Sequence, residues 1–367
     1  MAAVLVAPLL ASVYIANSAA WMLADNAGWL WVGLLSIGAL LWKPSVRWAI
    51  VMGLGLLLAV WTRQNLLFLA LPVWAAAWMR AAPEGPGSMN PFIAIPTRLK
   101  NLLPIAGATL PALASLVYLH HVWGGLVPYE FQGQYDGANP SNLVLQLMML
   151  AGLGVFFMPA VLGVGEPGWK PRVAALVRSA APWMVLGFVL AGMVAAITPT
   201  THAPTEGRAG LVWSVADKIN LLGPIGETNP VAVLMAATGG AALALMLAAA
   251  PARQRWILAA LYAGFAVAQG ASSEVWQRYH EPFALMFLAL STMVAVGARS
   301  RPSTRPPVVQ LGPILLLALG MAITTSVVLW QREVVPWRNG AEQTPVSSLL
   351  PEPPAENLKR PKDAPQP

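Results

Sequence analysis

Three short polar clusters interrupt an otherwise apolar sequence, and each holds groups able to do chemistry. The first comprises Tyr14, Asn17 and Asp25-Asn26. A carboxylate such as Asp25 acts as a general base when held against a hydroxyl, although an Asp that opens a helix equally serves as its cap. The second is Arg63-Gln64-Asn65, wedged between two apolar runs with almost no loop. Arg offers a planar fork of donors suited to phosphate, while an Arg at a membrane edge also snorkels toward lipid headgroups. The third is Glu274-Val275-Trp276-Gln277-Arg278-Tyr279-His280-Glu281. A His that titrates near neutral pH, beside an Arg and two acids, suits phosphate or diphosphate binding and proton transfer. The plain alternative is a satisfied polar turn. No Walker loop, His-Glu-x-x-His or Gly-x-Ser-x-Gly motif occurs. With no Cys, a disulfide framework, a thiolate metal site and a cysteine nucleophile are all excluded.

The segments that must position these clusters are membrane spans. The chain has 367 residues, of which 57% are hydrophobic and only 10% charged. A soluble domain carries roughly 25% charged residues, so this chain cannot cover a wet surface. Its mean hydropathy of +0.61 excludes disorder over most of its length. Apolar runs near 2–21, 26–42, 46–62, 64–80, 101–121, 142–164, 179–197, 230–250, 255–271, 282–298 and 308–330 predict about 11 transmembrane helices. The expected fold is therefore an all-α polytopic membrane protein. A helical domain spans residues 1–330, and a Pro- and charge-rich tail over 331–367 reads as disordered. Sixteen Trp and six Tyr suit two lipid–water interfaces. The formal charge of +7 then reflects topology, and nucleic acid is not an expected partner.

With the N-terminus inside and the spans alternating, the inner loops hold Lys43, Arg47, Arg80, Arg98, Lys100, Lys170, Arg172, Arg178, Arg253, Arg255, Arg299, Arg301 and Arg305. The outer loops hold only Arg63, Arg208, Lys218 and Arg278 before the tail, as the positive-inside rule requires. Acids distribute the other way. Asp25, Glu130, Asp136, Glu206, Asp217, Glu227, Glu274 and Glu281 fall outside, and only Glu84 and Glu166 inside. Acids contribute little to topology, so they are either ordinary solvated loop residues or groups that work on something at the outer face. All three polar clusters lie on that face. Two outer loops are long: the one beginning Gly124-Gly125-Leu126-Val127 and running to Asn142, and Thr198–Asn229. Gly53/Gly55 and Gly239/Gly240 read as helix-packing positions. No 20–50-residue repeat is present.

The clusters, taken in order, resemble motifs of the polytopic C-type (GT-C) glycosyltransferases, which use polyprenyl-phosphate sugars at the outer or lumenal face. Within them the chain looks most like the dolichyl-phosphoglucose-dependent alpha-1,2-glucosyltransferases that finish the N-glycan precursor. Those enzymes have a Tyr-Thr-Asp-like turn, an Arg-Gln-Thr-Asn element, a loop opening Gly-Gly-Ile-Val and a late Asn-Arg-His-Tyr element. Here Asp25-Asn26, Arg63-Gln64-Asn65, Gly124-Gly125-Leu126-Val127 and Gln277-Arg278-Tyr279-His280 follow in the same order over roughly residues 10–290. Thr is missing from the second element, and Tyr and His are transposed in the last.

The resemblance implies an inverting transfer in which a carboxylate takes the acceptor proton while polyprenyl phosphate leaves. It assigns Asp25 as base and places Arg63, Gln64, Asn65, Arg278, Tyr279 and His280 on the donor phosphate. Glu130, Asp136 and Glu281 would bind acceptor or sugar hydroxyls. The implied partners are the bilayer, a lipid-linked sugar donor and a glycan or lipid acceptor. No cofactor beyond the donor is implied, and a divalent metal is neither required nor ruled out. These transferases carry catalytic acids on a long loop after their first helix, where this chain has a turn of a few residues. Either a further N-terminal part precedes it, or Asp25 serves instead, or the chain is not an active enzyme. Two other classes are a non-catalytic assembly subunit and a transporter or flippase for a lipid-linked or small solute. A transporter would show broken helices and inverted repeats.

Overall fold

Small residues decide how closely several of the apolar segments approach. A computed structural model describes residues 1–20, 24–80, 92, 95–125, 127, 137–203, 208–221, 223–273, 275–299 and 308–331, with 20, 24, 25, 80 and 209 described in backbone only. The expected tail beyond residue 331 lies outside them. The N-terminal helices are α1 (Ala2–Leu10), α2 (Val13–Ala20), α3 (Ala24–Leu40) and α4 (Val46–Thr62). A 3-10 turn (Gln64–Leu69), α5 (Ala70–Arg80) and α6 (Ile95–Trp123) follow. The C-terminal helices are α7 (Ser141–Leu162), α8 (Trp169–Ala196), α9 (Leu211–Ile219), α10 (Pro230–Ala249), α11 (Ala252–Gly270), α12 (Gln277–Gly297) and α13 (Val308–Leu329). Two-residue strands β1 (Arg208–Ala209) and β2 (Val275–Trp276) pair in parallel.

A Cβ built on Gly239 of α10 would meet the Leu147 carbonyl oxygen of α7 at 1.9 Å, and one on Gly240 would meet the Gly187 oxygen of α8 at 2.3 Å. Helix α10 therefore lies backbone-to-backbone between α7 and α8, a contact only glycine permits. Gly53 of α4 likewise meets the Ala108 oxygen of α6 at 2.2 Å. The reading of these glycines as packing positions holds.

Among the described residues six helices are long and apolar enough to cross a membrane: α6, α7, α8, α10, α12 and α13. A seventh passage is possible if α1 and α2, bent by 73° at their break, count as one span. The other expected spans form shorter or more polar helices. Helices α3 and α4 have 17 residues each, about 25 Å at 1.5 Å per residue against a hydrocarbon core of about 30 Å. Helix α11 opens on Arg253, Gln254 and Arg255, which lower its hydropathy. The surroundings these helices demand are clear from their outer faces. On α8 only 6% of the apolar window is buried, and Trp183, Val185, Leu190 and Met193 stand exposed. Water tolerates no apolar patch of that extent, whereas lipid does. The chain is an all-α, multi-pass membrane protein. Its core runs along α7 and α12, the most enclosed helices, where Phe157, Met148, Phe283 and Phe287 are buried.

Connections collect at two ends of the bundle. At one end Asn139 N donates to Gly270 O, Ser141 Oγ to Pro199 O, and Asn142 Nδ2 to Ser272 O. These bonds gather the starts of α7 and the ends of α8 and α11. At the other end, arginines close helix C-termini whose carbonyls lack intrahelical partners. Arg98 donates to Trp78 O of α5 at 2.6 Å, Arg255 to Leu247 O of α10 at 2.9 Å, and Arg299 to Ala160 O and Val161 O of α7. The expected basic-rich loops thus share one end, and Arg63, Arg208 and Arg278 share the other. The cations that mark topology also satisfy helix ends and their dipoles.

Glu166 completes that second end. Its carboxylate accepts from Arg299 at 2.5 Å, Arg172 at 3.0 Å and Gln310 at 3.1 Å. Burial alone would raise its pKa, but the bonds from Gln310, Arg172 and Arg299 outweigh it and hold the carboxyl below the usual glutamate range. A carboxyl depressed on folding stabilises the protein fully above its unfolded pKa of about 4.3. That contribution is lost as pH falls through the lower folded value. Thermal unfolding midpoints in micelles are expected to drop more steeply through this acid window for the wild type than for Glu166→Gln. Parallel curves would show that the carboxylate contributes nothing.

Candidate functional site

The backbone breaks between α4 and the 3-10 turn at Arg63, which adopts an extended conformation (φ −154°, ψ 127°). This places an arginine between two apolar helices without a loop. Gly264 of α11 lets the turn pack closely, since a Cβ there would meet the Phe68 oxygen at 2.9 Å. Across from it, α12 begins at Gln277, directly after β2, whose pairing with β1 sets the chain's direction.

Arg63 and Arg278, 215 positions apart by number, meet at Tyr279. The Tyr279 hydroxyl accepts from Arg278 Nη2 at 2.6 Å and from Arg63 Nη2 at 3.4 Å. The two donor nitrogens are therefore about 6 Å apart at most, within reach of one anion. Both guanidinium groups also lie over the Tyr279 ring, at 4.9 Å for Arg63 and 4.7 Å for Arg278. Trp276 closes the other side of Arg278, with the guanidinium 4.0 Å from its ring centre. Such stacking stabilises by roughly 0.5–2 kcal/mol per contact and holds a planar fork in one orientation.

Arg63 and Tyr279 line a cavity of about 990 Å³, and Arg278 reaches its edge through the Tyr279 hydroxyl. Gln64, Asn65, Gln269 and Ser272 also line it, while Leu67, Leu71, Trp74, Leu113, Leu116 and Val267 wall the remainder. Gly124, Gly125 and Val127 close its rim. Gly124 has φ +68°, the left-handed conformation that ends α6 one residue beyond Trp123. Three of the four motifs named above therefore meet at one cavity, represented by Arg63-Gln64-Asn65, the Gly124-Gly125 loop and Tyr279. The fourth approaches from behind. Asp25 lies in the first turn of α3, and one turn on, Gly28 packs against the aliphatic stem of Arg63. The side chain of Asp25 and all of Glu130 and Asp136 lie outside the described residues.

His280 and Glu281 do not join the cavity. Residues 277, 280, 281 and 284 share one face of α12, turned toward the bundle, whereas Tyr279 faces Arg63. His280 is fully buried, with Nε2 2.9 Å from Asn142 Oδ1 and its ring edge-on to Phe265. Glu281 accepts from Ser12 Oγ at 2.6 Å and from Gln277 Nε2 at 2.8 Å. Since Ser12 lies in the break between α1 and α2, and Thr325 Oγ1 of α13 donates to Ala11 O beside it, Glu281 helps secure that bend. Both residues hold helices together at the site's flank. Sequence reasoning did not identify Trp276, Gln269 or Trp74 as site residues. Only Trp276, two positions before Arg278, carried a signal, as an aromatic within stacking reach of a cation.

What the arrangement can do is hold an anionic headgroup on two guanidinium forks with an apolar chain beneath it. Comparison with known proteins finds no matching family model, no matching curated protein and no matching solved structure.

Proposed function

We propose that this chain is a membrane glycosyltransferase of the GT-C kind, moving a sugar from a polyprenyl-phosphate donor to a lipid-linked glycan or other acceptor. The observation that carries the reading is the convergence of Arg63 and Arg278 on Tyr279, where Arg63 and Tyr279 line an apolar-walled cavity. A polyprenyl phosphate has the matching chemistry, an anionic phosphate on a long hydrocarbon. In the reaction the acceptor hydroxyl loses its proton to a carboxylate, for which Asp25 is the assigned base, and its oxygen bonds to the anomeric carbon. The bond from that carbon to the phosphate oxygen breaks, and the electron pair leaves with polyprenyl phosphate. Charge grows on that phosphate as the bond breaks, so donors fixed beforehand lower the barrier. Glu130 and Asp136 belong to the sugar or acceptor side of this reading.

The same reading counts about 11 passages, with α3, α4, the 3-10 turn with α5, and α11 as short spans. It puts the N-terminus in the cytoplasm and the arginine pair at the outer or lumenal face. A reporter active only in reducing cytoplasm, fused after Pro367, is expected to stay silent; a strong signal would reverse the orientation. Transfer is tested with purified protein, a radiolabelled polyprenyl-phosphate hexose and a lipid acceptor in proteoliposomes. Appearance of labelled acceptor supports the reading, and its absence in a protein that binds the donor refutes it.

A second reading, a transporter or flippase for a lipid-linked or small solute, has the 73° break of α1 and α2 beside Glu281 in its favour. Broken helices at a buried polar group are a transporter feature. Against it, Glu281 is only the fifth residue of α12 and so lies near a helix end.

A further inference from the structure

The segment between α8 and α10 folds into a small cap whose outward side is apolar. Helix α9 buries Trp213 and Ala216 against the bundle. Its opposite face carries Leu211, Val215 and Ile219, which are 61%, 41% and 54% exposed. Their spacing of four residues makes one continuous stripe along the helix. Lys218, also exposed, adjoins this stripe. Beyond the helix, Leu221 and Ile225 are 96% and 74% exposed. The turn holding Ile225 is fixed to the end of α8: Thr228 Oγ1 donates to Ala196 O, and the Thr200 and Thr201 amides donate to Glu227 O. Ile197, 83% exposed, lies at that same helix end, directly after the lipid-facing side chains of α8 such as Leu190 and Met193. The turn holding Ile225, with the exposed Glu227 beside it, therefore joins the cap to the lipid-facing end of α8.

We infer that the cap is seated in the lipid interface at the arginine-bearing end of the bundle, with the stripe of α9 sunk among the upper acyl chains. The partner is the bilayer surface, and two features favour it over a protein. The cap is hydrogen-bonded to the end of α8, a helix already turned to lipid, and its exposed Leu221 and Ile225 lie in sequence between the stripe and Thr228, which bonds that end. A lysine beside apolar side chains on a short amphipathic helix snorkels to headgroup phosphates, the signature of helices lying in an interface plane. The cap is also bolted to the arginine station. The amide of Val212 donates to Gln277 Oε1 at 3.0 Å, and β1 pairs Ala209 with Trp276. Seating the cap in lipid thus fixes the height of Trp276 and Arg278 relative to the headgroups. The inference needs no sugar transfer and stands apart from the reaction proposed above.

Because the chain has no native Cys, single cysteines report without background. Leu211→Cys, Val215→Cys and Ile219→Cys, each labelled with bimane, are reconstituted in phosphatidylcholine nanodiscs. Lys170→Cys, exposed at the other end of the bundle, serves as the aqueous control. Lipids bearing a doxyl group high on the acyl chain are expected to quench the three stripe labels at least twofold more than the control. Aqueous iodide is expected to quench the control at least twofold more than the stripe. Iodide quenching of the stripe equal to the control would place the helix in water and overturn the inference. Shielding from both quenchers would overturn it too, because a protein partner or a second copy would then cover the stripe.

Discussion

Arg278→Ala is expected to lower sugar transfer by on the order of 100-fold or more, the usual consequence of removing a donor aimed at developing negative charge. Folded yield should change little, because the side chain is exposed and its contacts are the Tyr279 hydroxyl and two ring faces. Arg278→Lys should recover only part of the loss. Lysine keeps the charge but has neither the fork nor the flat face that Trp276 and Tyr279 hold in place. Tyr279→Phe separates the two contributions: it removes the shared hydroxyl and leaves the ring. Binding of donor should then weaken less than in Arg278→Ala. Near-normal turnover by Arg278→Ala, measured with labelled donor on purified protein, would remove the arginine from the phosphate.

The second large effect is structural. Gly239→Val should leave little or no monodisperse protein in detergent. Its Cβ would fall 1.9 Å from the Leu147 oxygen, so helices α7 and α10 would have to separate. Overpacking a core usually costs about 1–3 kcal/mol. The cost here should exceed that, because backbone cannot rotate aside as a side chain can. Gly107→Ala on α6 is the control. A Cβ there meets nothing within 4 Å, and alanine in a helix interior stabilises by about 0.5–1 kcal/mol relative to glycine. Size-exclusion profiles and unfolding midpoints read both variants. A normal profile for Gly239→Val would mean that α7 and α10 do not touch as described.

The membrane character was legible in the sequence because it depends on composition and run length alone. The sharing of ends was legible too, since Lys and Arg sort by face: Arg98, Arg255 and Arg299 lie together, opposite Arg63 and Arg278. Their second use, closing helix C-termini, was not, because it depends on which helix end each arginine reaches. Span count was the weakest expectation. Hydropathy cannot distinguish a full crossing from 17 residues such as Val46–Thr62, nor see the 73° break at Ser12. At the site, the placing of Arg63 and Arg278 at one end of the bundle followed from topology, whereas their meeting at Tyr279 is a matter of helix packing. The separation of His280 and Glu281 from Arg278 was not legible either. Adjacent helical residues diverge by about 100°, and in the polar run Gln277–Glu281 the face turned to the core is set by tertiary packing. Ser12 and Asn142, which claim Glu281 and His280, are distant in sequence.

Whether the donor is cleaved decides the central claim most directly. Purified chain in proteoliposomes is given doubly labelled polyprenyl-phosphate hexose, with one label on the sugar and one on the lipid, together with a lipid acceptor. The account predicts that sugar label passes to the acceptor while an equal amount of free polyprenyl phosphate appears, and that Arg63→Ala and Arg278→Ala suppress both together. Donor that binds the chain but keeps its two labels joined, remaining in place or crossing to the other leaflet, would contradict it.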